Sequence, residues 1–157
     1  MAKSKQSENG HGFRSTRLEA LAARVRKRAE AAVSALHAAS KDRQAIHELE
    51  WRQADHDTLG DMDEIGDALQ GLAAWVMSGL HPDPTGALKR LSKIQAERVS
   101  LRARLIEHSR RRRRLWEYFG RQEELREALK DYFREQIRTG TPDEAVTRRA
   151  QKLRKSA

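Results

Sequence analysis

Apolar side chains recur at steps of three and four residues along most of this chain, and that periodicity restricts it to packed α-helices. The cleanest seam is Met62, Ile65, Leu69, Leu72 and Val76; an earlier one runs Leu18, Leu21, Val25, Ala29, Ala32 and Leu36. A third, Leu88, Leu91, Ile94, Leu101 and Leu105, changes phase and resumes as Leu115, Tyr118, Leu125, Leu129 and Tyr132. Strand-like alternation is nearly absent. With 157 residues, 38% hydrophobic and 35% charged, there is material for one core made of narrow apolar stripes. The expected fold is all-α: a helical bundle with long antiparallel helices joined by a proline-containing turn.

Local chemistry suggests where those helices begin and end. Residues 1–14 lack periodicity and read as a flexible basic tail, with 15–139 forming the bundle and 140–157 a short basic C-terminal helix. Thr16 with Glu19, and Asp61 with Glu64, have the spacing of a capping box and predict helix starts. The first helix can run past Ile46 toward Ala54, with a weak point at Ser40 to Asp42. The second should end near Gly79, and Asp83-Pro84 suits an N-cap followed by proline in the first helical position. The phase shift at Leu115 and the glycine at 120 predict a kink or two helices end to end. Gly140 is a C-cap, and Thr141-Pro142-Asp143-Glu144 starts the last helix.

Charge is distributed unevenly. Against a net charge of +9, residues 1–60 carry 11 basic and 8 acidic side chains, 61–85 carry none and 5, and 86–157 carry 21 and 10. That layout predicts a polyanion site on the C-terminal half and leaves the acidic middle to face protein or to dock on a basic neighbour. Its centre is the run Arg110, Arg111, Arg112, Arg113 and Arg114, followed by Trp116 and Tyr118. Five adjacent residues point all around a helix axis, so their repulsion calls for anions nearby. Guanidinium forks suit phosphate oxygens, and Trp116 or Tyr118 suits stacking on an unpaired base. Arg90, Lys93 and Arg104 extend a basic flank along the preceding helix, Arg121 follows the run, and Arg24, Arg26, Lys27 and Arg28 form a second patch. The alternative is a solvated face paired with Glu107 and Glu117, with the aromatics in the core.

Catalytic and metal motifs are missing. The absence of cysteine removes disulfides, thiolate metal sites and cysteine nucleophiles. His47-Glu48 is followed by Trp51 where a metalloprotease needs histidine, and Ser34, Ser40, Ser78 and Ser92 have no triad-like setting. The acids Asp55, Asp57, Asp61, Asp63 and Glu64, with His56, lack the spacing of a calcium loop and read as caps and solvated charge. No enzyme, cofactor or metal is expected. A polar N-terminus and the lack of any run of about 18 apolar residues lead to the expectation of a cytoplasmic protein without a membrane partner.

In size, helicity, the basic stretch from Lys89 to Lys155 and the lack of catalytic residues, the chain resembles the small all-helical subunits of multisubunit (class 1) CRISPR ribonucleoprotein effector complexes. The resemblance involves no residue-by-residue match. It implies a bundle that packs beside copies of itself and lines a strand path with arginines, 110–114 foremost. The expected function is a non-catalytic subunit that self-associates, joins other protein subunits and grips a nucleic-acid backbone, RNA or single-stranded DNA by preference. Two other readings are a phage-type DNA packaging or recognition subunit and a coiled-coil escort or stalk protein of an export machine.

Overall fold

A 46-residue helix opens the chain and three helices of 26 or 27 residues follow: α1 (Ala2–His47), α2 (Gln53–Ser78), α3 (Pro84–Ser109) and α4 (Arg113–Thr139). The computed structural model describes the backbone of residues 2–47, 53–79, 83–109 and 112–140, and the side chains of 16–44, 56–79, 83–105 and 112–140. Ion pairs fix the relative directions. Arg17, Arg24 and Arg28 ascending α1 meet Glu135, Asp131 and Glu124 descending α4, so those helices are antiparallel. Arg43–Asp63, Arg104–Asp61 and Arg98–Glu123 give the same sense to α1/α2, α2/α3 and α3/α4. The fold is therefore an all-α, up-down-up-down bundle.

Side-chain size explains which helices lie closest. The buried stripe of α1 is Val25, Ala29, Ala32, Ala35 and Ala39, whereas α4 buries Leu115, Tyr118, Phe119, Leu125, Leu129, Tyr132 and Phe133. Small residues on one helix admit large ones from the other, and α1 with α4 is the most extensive pairing. Along one diagonal α2 approaches α4 at Gly66, where an added Cβ would overlap the Tyr118 hydroxyl and stand 3.2 Å from Gln122 Nε2. No helix among the described residues is long and apolar enough to cross a membrane.

Several expected boundaries match. Gly79 and Gly140 adopt positive φ, 67° and 64°, as residues ending helices in the left-handed region do. The Asp83 carboxylate accepts from the Gly86 amide at 3.0 Å, capping α3 with Pro84 in its first turn. Others do not. α1 already begins at Ala2, ahead of Thr16, although it does run as one long helix through the weak point at Ser40, whose hydroxyl donates back to the His37 carbonyl at 2.6 Å. α2 begins at Gln53 rather than Asp61, because Thr58 is buried and Leu59 packs on the core, which holds that turn helical through Gly60. α3 ends at Ser109 and α4 begins at Arg113, with Arg110 and Arg111 outside the described residues, and Gly120 sits within α4. The helix expected after Thr141 lies outside the described residues.

Candidate nucleic-acid interface

Helix by helix, the acids and bases are complementary. α2 holds six acids and no base, α3 six bases and two acids, and α4 seven bases and six acids. Interhelical pairs therefore take up much of the arginine content: Arg43 binds Asp63 at 2.6 Å, Arg104 binds Asp61 at 2.7 Å, and Arg24 and Arg28 bind Asp131 and Glu124 at 3.1 Å. The acidic stretch thus docks on basic neighbours. Exposed pairs of this kind contribute only about 0–1 kcal/mol each; what matters for function is that they occupy those cations.

The expected site residues separate accordingly. Arg90 and Lys93 are exposed on the outer face of α3, with Lys89 beside them. Arg104 is spoken for by Asp61. Arg110 and Arg111 lie outside the described residues. Arg112 donates to the Asp42 carbonyl at 3.5 Å and Arg114 stands 3.6 Å from the Asp42 carboxylate, so both lean on the C-terminal part of α1. Arg113 is exposed at the start of α4. Arg121 donates to Glu124 on its own helix at 2.9 Å. Tyr118 is 3% exposed with its hydroxyl against Gly66, so its ring has no face to offer a base, and that expectation is corrected. Trp116 is half-buried and meets Phe119 edge to face, centroids 6.1 Å apart. In the second patch, Arg26 and Lys27 are exposed while Arg24 and Arg28 are paired to α4.

Nine exposed cations make no ion pair with any described residue: Arg26, Lys27 and Lys41 on α1, Arg134 late in α4, and a larger group of Lys89, Arg90, Lys93 and Arg102 on α3 with Arg113 at the start of α4. The positive end of α4 adds to their potential, since its first turn holds no acid and Arg112 provides no side-chain cap.

Beside this face lies a polar network that sequence reading missed. Arg98, 3% exposed, donates to Glu123 Oε2 at 2.9 Å, to Gln122 Oε1 at 3.0 Å and to the Phe119 carbonyl at 2.9 Å, and its guanidinium lies 4.0 Å from the Phe119 ring centroid. Gln122, also buried, donates to the Met62 carbonyl at 3.0 Å, and Arg126 holds Glu123 from the other side at 2.7 Å. One signal for Arg98 was available: it follows Leu91 by seven residues, in the apolar register of α3. Between α3 and α4, above this network, opens a cleft of about 380 Å³ floored by Arg98, Trp116 and Phe119, with Val99, Arg102 and Gly120 at its margin.

Two groups here are shifted in opposite directions. Burial pushes the Glu123 carboxyl up, but the Arg126 hydrogen bond and the charges of Arg126 and Arg98 prevail, leaving it below the usual value near 4.5. Burial raises the Tyr118 hydroxyl above its usual value of 10, against an opposing hydrogen bond from Gln122. Glu123 therefore stabilises the fold above the ordinary glutamate range, and that contribution is lost as pH falls through its lowered native pKa. Tyr118 contributes below its ordinary range, and the contribution is lost as pH rises through its raised native pKa. Urea midpoints measured across pH should fall less on the acid side in Glu123→Gln and less on the alkaline side in Tyr118→Phe than in the parent.

No protein-family model matches this chain, and no curated protein or solved structure is similar to it.

Proposed function

We propose that this protein is a non-catalytic nucleic-acid-binding subunit that grips a sugar-phosphate backbone with the outer face of α3 and the start of α4, largely without regard to base sequence. The observation that carries the reading is the sorting of cations: seven arginines face interhelical acids, whereas α3 keeps four exposed cations, Lys89, Arg90, Lys93 and Arg102, without an ion pair among the described residues, more than any other helix, and Arg113 begins α4 in the same state. Lys89, Arg90 and Lys93 form one unneutralised cluster on α3, and such a cluster suits a polyanion whose bound counterions it displaces. The footprint differs from the expected one by moving its centre from residues 110–114 to α3. A ribonucleoprotein assembly in the cytoplasm is the setting this reading favours, ahead of a DNA packaging subunit.

The test is a triple variant, Lys89→Ala/Arg90→Ala/Lys93→Ala, whose positions are exposed and uninvolved in the core. Its affinity for a single-stranded oligonucleotide should fall by at least about tenfold, and its log–log salt slope should flatten by about 2, from roughly 0.7 per lost phosphate contact. Arg24→Ala/Arg28→Ala, whose cations are engaged with α4, should bind like the parent. Unchanged affinity and slope in a folded triple variant would sink the proposal.

A second surface supports protein contact as part of the same role. Val33 and Met77, each 39% exposed, line a groove between α1 and α2, and Trp75 is 46% exposed. Apolar groups at this exposure suit a neighbouring subunit, which is the contact that the escort-protein reading also requires.

A further inference from the structure

We propose that the cleft between α3 and α4 receives one unstacked base of a single strand, with Trp116 as its aromatic wall and Arg102 and Arg113 on the flanking phosphates. This inference rests on the function proposed above and adds strand selectivity and a specific pocket to it.

Four features combine at this place. The cleft, about 380 Å³, lies within the size range of small-ligand sites. Its wall is aromatic: Trp116 is half-buried and stands edge to face at 83° to Phe119, whose own ring is buried beneath the Arg98 guanidinium, so a flat ring entering the cleft meets Trp116. Its margin is unusually apolar for a solvent-facing position, because Val99 is 63% exposed. Its uncommitted charge is positive: Arg102 lines it without an ion pair among the described residues, whereas Glu123 is held by Arg98 and Arg126. Arg113 lies three residues before Trp116 and seven before Gly120, placing all three on one side of α4.

A slot with an aromatic wall, a polar floor and a cation at its edge fits a ligand that joins a flat ring to an anion. A nucleotide in a single strand has both, and Arg102 and Arg113 stand beside the slot to meet its phosphates. A paired duplex keeps its base faces stacked inside and has no ring to insert. Lys93 and Arg102 are nine residues apart, about 14 Å along the axis and on opposite sides of α3, so the cleft and the Lys89–Lys93 cluster are separate contacts made by one helix.

Gly120 provides the discriminating variant. It is exposed on α4, and a Cβ there would meet nothing within 4 Å, so Gly120→Leu adds bulk at the mouth of the cleft without displacing the core. In full-length protein carrying Trp51→Phe and Trp75→Phe, Trp116 is the sole tryptophan and reports on the cleft directly. Titration with oligothymidylate should quench its emission, and an equally long duplex should bind with salt dependence but without that quenching. Gly120→Leu should weaken oligothymidylate binding about tenfold and leave duplex binding unchanged. Arg102→Glu, at an exposed position outside the buried network, should weaken it as well.

Equal binding of both strand forms, with unperturbed emission and no effect of Gly120→Leu, would overturn the cleft proposal while leaving the backbone-binding reading intact. No salt-dependent binding of any oligonucleotide would overturn both. Quenching by an acidic, aromatic-bearing peptide and by no oligonucleotide would assign the cleft to a protein partner and overturn the base-binding proposal.

Discussion

Arg98→Ala is expected to destabilise the bundle by about 3 kcal/mol, from hydrogen bonds to a charged donor worth about 1.5–3 kcal/mol and a desolvated cation–π contact worth about 1–2 kcal/mol. The loss has three sources. Gln122 Oε1, deep between the helices, loses its guanidinium donor; the Phe119 carbonyl loses its second hydrogen bond; and the Phe119 ring loses the cation stacked on it. Glu123 contributes less to the loss, because Arg126 still holds it and its side chain is 37% exposed. In urea the unfolding midpoint should fall with little change in slope, and for a chain of this length the thermal midpoint should drop by roughly 10 °C. Arg98→Lys should fall between, since an ammonium retains the charge but lacks the planar fork that reaches three acceptors at once. Arg98→Met/Gln122→Leu should be less destabilised than the two single changes summed, because it removes donor and acceptor together. A fully additive double variant would show that the two side chains are energetically independent despite their 3.0 Å contact.

Gly66→Leu is the second large effect, a loss of about 2 kcal/mol or more. Any side chain at residue 66 must enter space held by the Tyr118 hydroxyl and the Gln122 amide, and both of those residues are buried. Overpacking of this kind typically costs about 1–3 kcal/mol and is only partly offset by the roughly 1 kcal/mol by which other residues exceed glycine in helix propensity. The same propensity is realised without a clash at Gly60, Gly71 and Gly120, where a Cβ would meet nothing within 4 Å. Alanine at each of those positions should stabilise the protein by about 0.5–1 kcal/mol. Glycines in the same fold thus divide by sign, and thermal midpoints of the four single variants test the division. If Gly66→Leu melted with the parent, α2 and α4 would not be in close contact at that point.

The two networks matter for the proposed function because they rigidify the wall from which it would work. Arg98 ties α3 to α4 beneath the cleft, and Gly66 brings α2 against Tyr118 on the opposite side of α4. Variants that weaken either should loosen the α3–α4 spacing, so binding measurements on them need a folded control. The α3 cations and Gly120 avoid that difficulty, being exposed and outside both networks.

What the sequence determined by itself was whatever depends on a few neighbouring residues. The step of three and four makes helices, the Asp83-Pro84 pair caps α3 through a side-chain bond to Gly86, and Gly79 and Gly140 end helices because glycine accepts positive φ without steric penalty. Local spacing misled about where two helices begin. Thr16 and Asp61 have the spacing of helix starts, yet α1 and α2 begin earlier, and Asp61 is drawn instead to Arg104 across the hairpin. The tertiary structure alone decided which cations remain exposed and unpaired. Arg24 and Asp131 are 107 residues apart in the chain and Arg28 and Glu124 are 96 apart, so no window along the sequence contains both partners. An arginine's charge is visible in the sequence; whether an acid from another helix already occupies it depends on how the helices pack.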